Sequence, residues 1–118
     1  MIRNKLGDSF RRYTFLRMFD IPTYKQILKE EFDGELLLLL LRTFKEQVLL
    51  NPSFQKEQAE HEFIHAFLAH SVAKTPNFDF VLEFFTSKEK EVVGEVVKGL
   101  VLLEEQKVEE ILKVFKVQ

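Results

Sequence analysis

Cysteine and tryptophan are absent from the 118 residues, and glycine (4) and proline (3) are scarce. Without a thiol there is no disulfide framework, no thiolate nucleophile, no iron–sulfur cluster and no zinc knuckle, a composition that suits a reducing compartment. Few turn formers disfavour a many-stranded sheet protein and favour helices in close contact. Long apolar runs are missing too: the six leucines from Leu36 to Leu41 stop at Arg42, far short of the ~18 apolar residues of a membrane span, so no membrane partner is expected. Nor does one sign of charge dominate. A net charge of -2 makes the whole chain a poor electrostatic surface for nucleic acid. Residues Met1 to Arg17 carry +4, from Arg3, Lys5, Arg11, Arg12 and Arg17 against Asp8, which leaves -6 for the remainder. Asp8 and Asp20 argue against reading that basic start as a mitochondrial presequence, and no secretory signal is visible.

What is present is an ordinary globular composition, 46% apolar against 31% charged, with 13 phenylalanines. A chain of this length withdraws roughly 65% of its surface from water on folding, enough for a core without metal or disulfide staples. Helical spacing predicts a first helix over about Ser9 to Phe19, a second over Thr23 to Phe32 after Pro22, and a third over Gly34 to Leu50. That third helix, with Leu37, Leu40, Leu41, Phe44 and Val48 in one stripe, is expected at the centre. After the break at Asn51-Pro52-Ser53, a long fourth helix is expected over Gln55 to Lys74. Thr75-Pro76 reads as the cap and first turn of a fifth, over Asn77 to Phe85. Thr86-Ser87-Lys88-Glu89 has capping-box spacing and opens a sixth, with Val93, Val96, Val97 and Leu100. Val108, Ile111, Leu112 and Phe115 recur on a terminal amphipathic helix. The expectation is an all-α, compact single domain of six or seven short helices: residues 1–8 a flexible N-terminus, 9–103 the helical domain, 104–118 the terminal amphipathic helix.

One string resembles a catalytic motif. His61-Glu62-Phe63-Ile64-His65 is H-E-x-x-H on an expected helix, where His61 and His65 could reach one zinc with Glu62 as base. His70 lies outside the elongated form of that motif, so Glu83 or Glu91 would have to complete the ligand set, and no strand pattern offers a substrate-aligning edge. A small zinc metallopeptidase is therefore the alternative, and the main expectation places these histidines on the polar side of the fourth helix. The four serines at 9, 53, 71 and 87 have cap or helix-face roles, and no phosphate-cradling or calcium loop is present. No enzyme, metal or cofactor is expected.

The fifth helix is more informative. At about 100° per residue, Phe78, Val81, Leu82 and Phe85 share one face while Asn77, Phe80 and Phe84 lie opposite. A two-turn helix cannot set both sides against one neighbour: it is either sandwiched between layers or left with an apolar face for a partner. Asn77, Phe80, Glu83 and Phe84 are the candidate partner-binding residues. Val101, Val108, Ile111 and Phe115 could instead pair with a second copy, making the chain a self-associating structural module.

Pro76 through Lys90, with the Phe78-Asp79 pair, Phe84, the Thr86 cap and Glu89-Lys90, resembles the signature of the C-terminal domain of RNA polymerase II-associated protein three. Ile21-Pro22-Thr23-Tyr24-Lys25-Gln26-Ile27-Leu28-Lys29 and the Leu-rich helix after it are similar to that domain's first half, so the resemblance spans about residues 9 to 103. Val108 to Gln118 is similar to the end of the coiled-coil-domain dynein-arm assembly factor that shares the domain. Asn77 stands where the family usually has Arg or Lys, and Phe80 where it has Met or Leu. The resemblance implies a non-catalytic, cytoplasmic adaptor. It would dock on a RuvB-like AAA+ ATPase or another subunit of a co-chaperone assembly, with a client protein as a further partner. In ciliary members that machinery serves preassembly of axonemal dynein arms.

Overall fold

The leucine-rich segment forms the longest helix of the computed structural model, which describes residues 9–117. In chain order the elements are α1 (Ser9–Leu16), α2 (Ile21–Glu31), α3 (Gly34–Leu50), α4 (Pro52–Lys56), α5 (Gln58–Ala66), a π turn (Phe67–Ser71), a 3-10 turn (Val72–Lys74), α6 (Phe78–Glu83), α7 (Ser87–Gly99) and α8 (Glu105–Val114). The all-α class holds, with no strand among the described residues. The expected flexible segment 1–8 lies outside them.

Capping side chains set several boundaries. The Asp20 carboxylate accepts from the Thr23 amide at 2.9 Å, so α2 starts before the expected Thr23 and Pro22 sits inside its first turn, where no amide hydrogen is needed. Asp33 caps α3 in the same way through the Leu36 amide, at 2.9 Å. Asn51 closes α3 with its backbone N–H on the Gln47 carbonyl and opens α4 by accepting from the Ser53 and Phe54 amides. The continuous helix expected over 55–74 is therefore divided, since α4 ends at Lys56 and α5 gives way to the π and 3-10 turns. Thr75-Pro76 starts no helix. The Thr75 hydroxyl donates back to the Ser71 carbonyl at 3.2 Å, and α6 begins only at Phe78. The capping box does form: the Glu89 amide donates to Thr86 Oγ1 at 3.1 Å and the Thr86 amide to Glu89 Oε1 at 2.8 Å.

The phenylalanines explain the core. Ring contacts run from Phe19 to Tyr24 (6.0 Å between centroids), Phe67 (4.7 Å), Phe44 (5.4 Å), Tyr13 (6.2 Å) and Phe54 (5.8 Å), mostly edge to face as ring quadrupoles prefer. Tyr24, wholly buried, keeps its hydroxyl satisfied by donating to the Leu16 carbonyl at 2.6 Å. Helix α3 packs against α1 and α7. It comes close to α7 at Gly99, where a Cβ atom would stand 2.4 Å from Val48 Cβ.

Helix α8 closes the domain. Ile111 and Phe115 are fully buried, and the Phe115 ring meets Phe78 edge-on at 5.3 Å. The helix ends in a Schellman motif built without glycine: Lys116 adopts φ 57°, its N–H bonds the Lys113 carbonyl, and the Val117 N–H bonds that of Leu112. Two of the four residues considered for pairing with a second copy are thus spent inside this chain's own core. Val101 remains exposed and Val108 is half-buried, too little for the proposed self-associating stripe.

Candidate functional site

Helix α6 resolves the choice between a sandwiched and a one-sided element. Phe78, Val81, Leu82 and the following Phe85 are buried, with Phe78 lying between the rings of Phe32 and Phe115. On the other side Phe80 is 63% exposed and Phe84 70%. Their rings lie 5.1 Å apart at 65°, forming an edge-to-face pair. Asn77, at the start of the same ridge, spends its amide in donating to the Phe32 carbonyl at 3.1 Å, which ties the helix start to the end of α2. Glu83 is exposed beside the pair. The four residues read from sequence as a ridge therefore sit together on one surface, with Asn77 also serving to hold it in place.

A second exposed apolar surface gave no comparable signal in the sequence. Phe10 and Leu50, 64% and 76% exposed, flank a groove of about 270 Å³ with Ser9, Glu46, Gln47, Asn51 and Pro52. Both residues lie on segments expected to be helical, and only the packing of α1 on α3 marks them as uncovered.

The H-E-x-x-H string is corrected in two respects. Its histidines are not on a polar face: His61 is wholly buried and His65 nearly so. Nor do they share a ligand position. His61 Nε2 bonds the Phe54 carbonyl at 3.2 Å, which requires Nε2 to carry hydrogen, while its Nδ1 accepts from the Leu102 amide at 3.4 Å. Both nitrogens of His61 are thereby occupied. Glu62, the candidate base, takes the Lys107 ammonium at 2.6 Å, and His65 Nε2 meets Glu110 Oε1 at 2.7 Å. Lys107 is raised and Glu110 lowered from their ordinary values, each chiefly by its side-chain hydrogen bond to α5. Glu62 and His65 fasten α8 to α5 while His61 ties Phe54 to Leu102, and the zinc peptidase alternative loses its constellation.

The His61 arrangement has a measurable consequence. Burial lowers its pKa, outweighing the Phe54 carbonyl and Glu60, which act the other way. Protonation would also set a donor against the Leu102 amide. The unfolded chain, with histidine near its ordinary pKa of about 6.5, then binds more protons than the folded one, so this stability is full above that value and is lost as pH falls below it. Thermal midpoints should fall between about pH 7.5 and about pH 5.5, and less steeply in His61→Gln; parallel slopes would refute the assignment.

No curated protein and no solved structure matches the chain. A family model described as the potential Monad-binding region of RPAP3 matches residues 2–90. The match takes in α2 through α6 entire, with the exposed aromatic pair, and ends within the first turn of α7. It covers the greater part of the sequence and agrees with the resemblance drawn from Ile21–Lys29 and Pro76–Lys90. The chain is a member of the family of the RPAP3 C-terminal, protein-binding region.

Proposed function

We propose that the chain is a non-catalytic adaptor whose α6 ridge docks on a RuvB-like AAA+ ATPase or another subunit of a cytoplasmic co-chaperone assembly. Monad, named in the family's description, is the second protein to test. The observation that carries the proposal is the Phe80–Phe84 pair, exposed on a helix whose opposite face is buried. Two adjoining aromatic rings that rest on a firmly packed base lose little conformational freedom on being covered, and such anchors supply most of the energy of an interface. Asn77 and Glu83 form the polar rim that fixes orientation. Service to axonemal dynein-arm preassembly belongs to the same proposal and rests on the family resemblance alone.

Capture of purified RuvB-like ATPases, and separately of Monad, should be compared between the native chain and Phe80→Glu. Phe80 is exposed, so circular dichroism and the thermal midpoint should hardly change. The substitution should weaken capture by about 30-fold or more, the loss associated with a central anchor of at least 2 kcal/mol. Equal capture by both chains would remove the ridge from the proposal, and failure of either chain to capture any of these proteins would remove the partners.

A further inference from the structure

Outside the α6 surface, the described residues contain one group able to hold a metal ion: His65, His70 and Glu110, whose ligand atoms all lie within 4.8 Å of one another. The sequence conceals it. His65 and His70 are five apart, and on an α-helix that spacing turns one side chain about 140° from the other. Here the backbone passes into the π turn Phe67–Ser71, in which Val72 N–H reaches back five residues to the Phe67 carbonyl. The wider turn brings His70 round beside His65, with ring centroids 5.3 Å apart and planes at 84°. Single π turns of this kind are concentrated at functional sites. Glu110 comes from α8, 45 residues further along than His65.

We infer that His65 Nε2, His70 Nε2 and Glu110 form a three-ligand site for a divalent transition-metal ion, zinc being the best match. Two imidazoles and one carboxylate are a donor set suited to zinc, and bonds of about 2.0–2.1 Å in a tetrahedron place donors about 3.3–3.4 Å apart. The separations from Glu110 Oε1, 2.7 Å to His65 and 4.0 Å to His70, bracket that spacing. Rotation of the exposed Glu110 and His70 side chains, with His65 held in place, lets the two separations equalise. His65 is buried and fixes one ligand, while the His70 and Glu110 side chains are 46% and 44% exposed, leaving an entry path and a fourth position open to water. The ion would replace the His65–Glu110 hydrogen bond with a bridge from the π turn to α8, so that seating of the terminal helix responds to the metal.

Calorimetric titration of Zn²⁺ into the full chain, at a pH where histidine is neutral, tests this. One saturable equivalent is expected, with affinity reduced at least tenfold in both His70→Ala and Glu110→Gln. Both positions are partly exposed, and circular dichroism with the metal-free thermal midpoint establishes that each variant is folded. Addition of Zn²⁺ should raise the thermal midpoint of the native chain and not that of His70→Ala. Absence of saturable binding by the native chain, or undiminished binding by the two folded variants, would overturn the site.

Discussion

Phe115→Ala is expected to cost the fold about 3–5 kcal/mol, the range for deleting a fully buried aromatic ring. That is a large part of the 5–15 kcal/mol by which an average domain is stable. Phe115 has no exposed surface and lies edge-on to Phe78, which lies in turn against Phe32. Removing the ring opens a cavity beneath α6 and releases the end of α8, which neither Ile111 nor the two charged contacts to α5 can refill. Urea unfolding provides the measurement, with Phe80→Ala as the contrast: a ring of the same size, 63% exposed, whose loss should change stability by no more than about 0.5 kcal/mol. Comparable costs for the two would contradict the inward and outward assignment of α6.

Two glycines of α7 should respond with opposite sign to one substitution. Gly99→Ala places a methyl group 2.4 Å from Val48 Cβ and 2.5 Å from its Cγ2, both close to the backbone of α3 and unable to swing away. The helices must separate, at about 1–3 kcal/mol. Gly94→Ala meets nothing within 4 Å and should stabilise the helix by about 0.5–1 kcal/mol, because alanine loses less backbone freedom than glycine. Unfolding midpoints of the two variants separate the cases, and a shared sign would mean that α3 and α7 do not approach at Gly99.

Local signals were read well where one side chain acts on backbone a few residues away. The Thr86 cap and the 3.6-residue stripe of α3 depend on short-range geometry, and the structure reproduces them. Helix α6 was legible only in part: its nine residues showed two apolar sides, and the fold decided that the Phe80–Phe84 side stays uncovered. Misreadings arose where a local pattern had two outcomes. Asn51-Pro52-Ser53 marked a break, but that its asparagine would open a separate short helix depended on where Phe54 could be buried. Thr75-Pro76 has the composition of a helix start, yet the Thr75 hydroxyl turns back to Ser71.

The histidines give the clearest division. From the sequence alone it follows that the chain is all helical and free of thiol chemistry, that α3 is central, and that α6 carries apolar residues on both sides. Each of these follows from residue type and period over a few turns. It took the packed chain to seal His61 between the Phe54 carbonyl and the Leu102 amide, to swing His70 to His65 through a π turn, and to bring Glu110 to His65 from 45 residues away. Those neighbours are joined by packing rather than by spacing. A histidine's exposure, tautomer and ligand partners are properties of the space around its ring, and that space is set when α8 closes over α5.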